Sequence, residues 1–167
     1  MYKILLTAVV LFLLIPANVS NTHIIASPKP FKKILKISES ELKCLADNIF
    51  YEANSESYEG KLAVATVTLN RVKSRGFPKT VCGVVKQRSK SGCQFSWVCG
   101  NRALMNRELY ASSRKVAIDV LVHKKRLTSI GNALYFHGEG VSPSWINKLN
   151  PIKKIGPHIF YVIRRNS

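Results

Sequence analysis

One acidic residue, Glu52, occupies a position where a carboxyl group is expected to keep its proton near neutral pH. Apolar residues before it recur at helical spacing, which places Glu52 at the edge of a buried stripe and in the last turn of the helix. Apolar neighbours and the negative end of a helix dipole both raise the pKa of a carboxyl group. A protonated carboxyl group is the proton donor that cleavage of a glycosidic bond requires. The alternative is that Glu52 is an ordinary surface residue at a helix end.

Two more acids, Glu56 and Glu59, follow Glu52 at four and seven residues. On one continuous helix the three carboxylates would share a face, which is the arrangement of a two-carboxylate glycosidase. Asn54 and Ser55 predict a helix break instead, and both acids then fall near the positive start of the next helix. We favour that interpretation for Glu59, and Glu56 stays open as a substrate-contacting residue.

Three helices are predicted to position these acids. Ser38 and Glu41 have the spacing of a capping box, which predicts a helix to about Ala53. Ser57 is expected to cap a second helix that begins near Glu59 and reaches Val72. This segment is apolar almost all round and would also suit a strand.

A third helix is predicted from Glu108 to Lys125, where Lys124, Lys125 and Arg126 suit its negative end. Its inward residues are expected to be Leu109, Val116, Ala117, Val120 and Leu121. Residues 79–100 predict an irregular, disulfide-tied loop, and residues 133–137 and 158–163 predict two short strands.

The length and composition of the chain limit the number of domains and the kinds of partner. The chain has 167 residues and a net charge of +17, from 26 Lys and Arg against 9 Asp and Glu. This length allows one domain with short tails, and a hydrophobic fraction of 46% argues against general disorder. The positive excess predicts an anionic partner, such as nucleic acid, an acidic membrane or an anionic polymer.

The first 26 residues predict export. Lys3 precedes an apolar run at residues 4–15 that is too short to cross a bilayer, as in a secretory signal peptide. An uncleaved signal anchor and a buried helix are the alternatives. Residues 27–37 then form a basic linker, residues 38–163 the domain, and residues 164–167 a tail. Removal of residues 1–26 takes away one Lys and no acid, which leaves a net charge of +16.

The cysteines agree with export. There are four, an even number that favours disulfides in a small exported domain, at Cys44, Cys82, Cys93 and Cys99. Their three possible pairings stay open. Zinc is disfavoured because no two of them have CxxC spacing.

Several motifs together resemble one known family. They comprise CLADNIFYEA at residues 44–53, YEGKLAVA at 58–65, LNRV at 69–72, FPKTVCGVV at 77–85, CQFSWVC at 93–99, ALYFH at 133–137, SPSW at 142–145 and KIGPHIFY at 154–161. In this order they resemble the cell wall hydrolases typified by the spore-cortex-lytic enzyme SleB, over about residues 42–161. Asn54-Ser55 and Gly100-Asn101 depart from that family's pattern.

The resemblance implies a small, mainly helical α+β domain of lysozyme-like fold, with a short β hairpin, that cuts peptidoglycan without a cofactor or metal ion. It further implies a lytic transglycosylase in which Glu52 serves as acid and then as base. Glu52 would protonate the oxygen between N-acetylmuramic acid and N-acetylglucosamine, then take the proton of the muramic 6-hydroxyl as a 1,6-anhydro ring closes.

Other positions in the matched motifs are weaker candidates for substrate binding. Gln94 and Ser96 are expected to hydrogen-bond N-acetyl or hydroxyl groups, while Tyr135, His137 and Trp145 would stack on sugars or line the cleft. The alternative is a purely structural role for each of the three rings. For His158 the structural role is favoured, and for Asn70 and Arg71 helix capping.

Three competing functions remain. A nucleic-acid-binding protein is disfavoured by the signal peptide and by the lack of a nucleic-acid motif. A non-catalytic cationic protein that binds the wall or disrupts membranes is the second, and a hydrolytic muramidase assisted by Glu56 or Glu59 is the third. We expect the protein to act outside the cytoplasm, periplasmic or extracellular, on peptidoglycan. Anionic envelope polymers would attract its basic linker and Lys124–Arg126, and no stable protein partner is predicted.

Overall fold

Helices form the body of the domain and a small sheet flanks them. The computed structural model describes residues 37–90, 92–101 and 105–164. In chain order the elements are α1 (Glu39–Ala53), α2 (Tyr58–Lys73), α3 (Val81–Val85), β1 (Arg88–Ser89), β2 (Gly92–Cys93), α4 (Ser96–Cys99), α5 (Arg107–Leu121), β3 (Tyr135–Gly138), β4 (Leu149–Ile155) and β5 (His158–Ile163). Short 3-10 turns occur at Thr128–Ile130 and Ile146–Lys148. The predicted mainly helical α+β domain is confirmed. The predicted signal peptide, all of the linker except Ile37, and residues 165–167 lie outside the described residues.

The core lies where α1 packs against α2 and α5. Leu45 and Ile49 of α1 and Val120 of α5 are fully buried there. α2 is buried at every residue from Gly60 to Leu69, which explains why its sequence shows little helical periodicity. Its start is as predicted, since the Ser57 side chain accepts a hydrogen bond from the Gly60 N–H at 3.3 Å.

The predicted capping box at the start of α1 is wrong. Ser38 stands at the N-cap, but its hydroxyl lies 2.6 Å from the Ser40 hydroxyl and caps no backbone N–H. Glu41 instead accepts hydrogen bonds from the N–H groups of Val81 at 2.6 Å and Cys82 at 3.2 Å. These are unpaired donors at the start of α3. The Glu41 carboxylate therefore joins two helices, a role that local spacing does not reveal.

Helix α5 ends at Leu121, four residues before the predicted end. Lys124 has a φ of 58°, which no helix continues. The predicted basic C-terminus is present: Lys124 Nζ donates to the Leu121 carbonyl at 2.6 Å, and Arg126 Nη1 to the Val120 carbonyl at 2.8 Å. The prediction that Leu109 points inward is wrong, because this first-turn residue is 38% exposed.

The sheet has three antiparallel strands in the order β3-β5-β4. Both predicted strands exist, but they are not joined as a hairpin. The hairpin is β4–β5, which turns at Gly156 with a φ of 54°. β4 escaped prediction because it contains Pro151 and shows no alternation of buried and exposed residues. A proline is tolerated there because β4 lies at the sheet edge.

The region predicted as an irregular loop at 79–100 contains α3, the β1–β2 ribbon and α4. The disulfides are Cys44–Cys82, which ties α1 to α3, and Cys93–Cys99, which closes a short loop around α4. Of the helices in the described residues, none is long and apolar enough to cross a membrane.

Candidate active site

The Glu52 side chain opens into a cleft of about 350 Å³ between the helical body and the sheet. α1 supplies Glu52 and α2 supplies Arg71. The β2–α4 segment forms one wall, and β3 with the segment after it forms the other. The lining residues are Glu52, Arg71, Cys93, Gln94, Phe95, Ser96, Phe136, His137, Val141, Pro143 and Trp145. Five of the seven predicted site residues are among them.

The pKa of Glu52 is raised from 4.5 to about 7. Burial is the main cause, because the cleft and core remove water from the carboxylate. The positive charge of Arg71 lowers the pKa, and the negative charge of Glu56 raises it. Near neutral pH the carboxyl group is therefore present in both protonation states, as a group that gives and later takes a proton requires.

Arg71 is a buried cation in the floor of this cleft, 2% exposed. Its Nε donates to the Leu134 carbonyl at 2.7 Å, and its guanidinium carbon lies 5.3 to 5.8 Å from the ring centres of Phe95, Phe77 and Tyr135. Burial lowers the pKa of Arg71 to about 10, so it remains charged at neutral pH.

The predicted capping role of Asn70 and Arg71 is wrong. Asn70 Nδ2 donates to the carbonyls of Gly131 and Ala133, each at 3.0 Å. With the Arg71–Leu134 bond, these contacts attach the segment before β3 to α2. The side chains of both residues therefore reach across to another part of the fold and leave the end of α2 to the backbone N–H of Ser74.

Glu56 does not line the cleft, which is contrary to its prediction as a substrate-contacting residue. Its side chain is 8% exposed, and its carboxylate lies 2.8 Å from Nδ1 of His158. Gly60 and Gly156 make room for it, since a Cβ on either would meet Glu56 Oε2 within 3 Å. Burial raises the pKa of Glu56 and lowers that of His158. The favoured structural role of His158 agrees with this contact.

The wall opposite β3 comes from the loop closed by Cys93–Cys99. Gln94 and Ser96 are exposed at the cleft, whereas Phe95 between them is 4% exposed and packs into the core. Trp97 follows and stacks on Tyr51 of α1, with ring centres 4.6 Å apart. The alternation of outward polar and inward aromatic residues fixes which side chains face a substrate.

The other wall is aromatic. Trp145 lies within 5.8 Å of the rings of His137, Tyr135 and Tyr161. His137 Nδ1 faces the Gly138 carbonyl at 2.9 Å, so this nitrogen carries hydrogen, and in the neutral ring Nε2 accepts from the Tyr161 hydroxyl at 2.8 Å. Tyr135 is not among the residues that line the cleft, and its ring packs against those of Trp145 and Phe77.

Sequence reasoning missed Arg71 as a cleft residue, together with Cys93, Phe95, Phe136, Val141 and Pro143. One signal was available for Arg71: it follows closely on the largely apolar run at residues 62–69, and a charged residue beside such a run needs a partner if it is buried. The others are apolar residues of loops and strands, where no periodicity indicates the direction of a side chain.

Sequence and fold both match one group of proteins. The family model described as Cell Wall Hydrolase matches residues 55–161, a range that begins after Glu52. The spore cortex-lytic enzyme of Bacillus cereus is 33% identical over 124 residues, 74% of this chain and 44% of that protein. The enzyme of Oceanobacillus iheyensis is 34% identical over 124 residues, 74% of this chain and 42% of that protein. The chain thus spans less than half the length of these relatives.

Two solved structures share the fold. The catalytic domain of the germination-specific lytic transglycosylase SleB from Bacillus anthracis superposes with a TM-score of 0.63 at 34% identity, over 77% of this chain and 98% of that one. The catalytic domain of the Bacillus cereus SleB protein gives a TM-score of 0.59 at 32% identity, over 75% of this chain and 91% of that one.

Proposed function

Because this chain belongs to the cell wall hydrolase family, we propose that it is a lytic transglycosylase that cleaves peptidoglycan between N-acetylmuramic acid and N-acetylglucosamine. The observation that carries this proposal is the partly buried Glu52 carboxyl group, with a pKa of about 7, in a cleft with an aromatic wall. A protein of the same fold from Bacillus anthracis bears the name lytic transglycosylase.

In the first step the protonated Glu52 donates its proton to the glycosidic oxygen. The bond between that oxygen and the muramic C1 breaks, and N-acetylglucosamine leaves with a free 4-hydroxyl. In the second step the Glu52 carboxylate takes the proton of the muramic 6-hydroxyl while O6 bonds to C1. The 1,6-anhydro ring closes and Glu52 regains its proton, so no water is consumed.

The shortage of carboxyl groups supports this route over hydrolysis. Among the residues described as lining the cleft, Glu52 is the one carboxylic acid. Glu56 is turned toward His158, and Glu59 is half exposed and lies 3.9 Å from Lys153. A hydrolase of the two-carboxylate type needs a second group beside the scissile bond, whereas an internal 6-hydroxyl needs none.

The cleft walls suit a glycan. Gln94 and Ser96 offer hydrogen bonds to N-acetyl and hydroxyl groups. Trp145 and His137 offer ring faces against which a sugar packs, and the Tyr135 ring packs against that of Trp145. We assign these four cleft residues to substrate binding, and Tyr135 to their support.

Peptidoglycan lies outside the cytoplasmic membrane, so the proposed reaction requires export, in line with the predicted signal peptide. The net charge of +17 favours adhesion to anionic envelope polymers. Such adhesion weakens with salt, because the Debye length is about 8 Å at physiological ionic strength.

The decisive experiment compares Glu52→Gln with Glu59→Gln on purified peptidoglycan. We expect Glu52→Gln to lower the rate of clearing by about 10²- to 10⁴-fold, as loss of a general acid does. Glu59→Gln removes a nearby carboxylate that the cleft does not use, so it should clear at the wild-type rate. Equal clearing by wild type and Glu52→Gln would mean that Glu52 is not the acid.

Mass spectrometry of the wild-type products decides the reaction type. Anhydro-muropeptides support the transglycosylase, and reducing muramic ends contradict it in favour of a muramidase. No released fragment at all, with protein bound to the wall, would leave only the wall-binding alternative.

A further inference from the structure

The guanidinium of Arg71 lies in the floor of the cleft, and one of its nitrogen atoms makes no hydrogen bond to the described residues. Nε bonds the Leu134 carbonyl, whereas Nη1 is buried and has no hydrogen-bond partner among the described residues. An unsatisfied buried donor costs free energy, and more so on a charged group. Such a group in a native protein calls for an explanation, and a role in catalysis is one of those known.

The surroundings keep this cation in place. Phe77, Phe95 and Tyr135 pack around the guanidinium, and the rings exclude water from it. Arg71 and Glu52 line the same cleft, and each charge favours the charged form of the other. In a site poor in water this attraction is weakly screened.

We propose that Arg71 is a positioning residue that stabilises the ionised form of Glu52, so that the carboxylate left by the first proton transfer persists as the base of the second. This inference rests on the proposed function for its second clause only. Nη1 has no hydrogen-bond partner among the described residues, so part of the guanidinium charge is unmatched by any acceptor.

Other charged groups act on Glu52 from the packed elements. Glu56, in the segment between α1 and α2, opposes ionisation, and its own charge is influenced by Lys61. From the sheet, His137 lines the cleft with both ring nitrogens hydrogen-bonded, and His158 of β5 contacts Glu56. Arg71 and Glu56 thus act on Glu52 in opposite directions, which provides a matched pair of tests.

The test is an NMR titration of the Glu52 side chain in the full-length protein, with Arg71→Gln, Glu56→Gln and wild type. Gln at position 71 removes the charge and keeps a donor for Leu134. We expect the pKa of Glu52 to rise by about one pH unit in Arg71→Gln and to fall in Glu56→Gln. The upper pH limit of peptidoglycan cleavage, which needs protonated Glu52, should move in the same directions.

A purely structural role for Arg71 would lower activity at every pH and leave the pKa of Glu52 unchanged, and that result would overturn the proposal. Should Arg71→Gln not fold, Arg71→Lys tests the same interaction between residues 71 and 52 through the pKa of the cation instead of that of Glu52. The pKa of the introduced ammonium should fall when Glu52→Gln is added, and no change contradicts the proposal. The titration needs no turnover, so its outcome is separate from the test of the proposed function.

Discussion

The two disulfides lie in regions that differ in burial and in task. Cys44–Cys82 joins α1 to α3 inside the helical body, and Cys44 is 6% exposed. Cys93–Cys99 closes a loop in the cleft wall, whose Gln94 and Ser96 are exposed. The body fixes the acid on packed helices, whereas the loop presents the polar side chains that face a substrate. Stability and substrate contact are therefore separable by mutation.

The disulfide of the body should have the largest effect on stability. It closes a segment with a sequence separation of 38 residues, and the loss of that constraint frees the unfolded chain. For Cys44→Ala/Cys82→Ala we expect a loss of about 4 kcal/mol in the free energy of unfolding. Urea denaturation measures it. Protein that remains folded should cleave peptidoglycan at near the wild-type rate. A large loss of rate in folded protein would contradict the separation of stability from substrate contact.

Ionisation of Glu52 should lower the free energy of unfolding as the pH rises. Its folded pKa of about 7 exceeds the reference value of 4.5, so between these values the folded state binds more protons than the unfolded state. Stability is then lost as the pH rises through this window, by about 3 kcal/mol in total, and no further above it. Glu52→Gln should lack this loss. Urea denaturation at pH 4.5 and 7.5 compares the two proteins, and equal pH dependence in both would contradict the raised pKa.

The disulfide of the cleft wall should have a smaller effect on stability and a larger one on activity. Its cysteines are six residues apart, so Cys93→Ala/Cys99→Ala should cost only about 2 kcal/mol. The freed loop no longer holds Gln94 and Ser96 against the cleft, so the rate of peptidoglycan clearing should fall at least tenfold. Wild-type clearing by the double variant would show that the loop is positioned by Phe95 and Trp97 alone.

The helical body could be predicted from the sequence, whereas the cleft walls could not. α1 and most of α5 follow from apolar residues at helical spacing, because one buried face repeats along each of these helices. The start of α2 follows from its Ser57 cap, since a helix buried on all sides shows little periodicity. The position of Glu52 at the end of α1 could be predicted from the apolar spacing of that helix. The residues of the cleft walls could not be predicted, since short loops and a strand with Pro151 show no regular repeat of apolar residues.

Long-range contacts explain the remaining errors. Local spacing assigned Glu41 to its own helix and Arg71 to the end of α2, but both side chains reach partners on other elements. Glu56 shows the same effect, since two glycines about 100 residues apart in sequence, Gly60 and Gly156, form its cradle. A buried polar group takes whichever partner the fold brings near, and single-sequence patterns do not record that choice.

Glu41 provides the last and smallest test, within the body. Its carboxylate accepts from two N–H groups at the start of α3, next to Cys82, so Glu41→Ala leaves both donors without a partner. We expect a loss of about 1 to 2 kcal/mol in the free energy of unfolding, as for a lost helix cap.

Glu39→Ala is the matched control. Glu39 is an exposed acid whose ion pair with Arg114 contributes little. Ser38→Ala separates the two interpretations of Glu41, because a capping box on α1 would make it as costly as Glu41→Ala. The structure predicts almost no loss, since the Ser38 hydroxyl caps no backbone N–H.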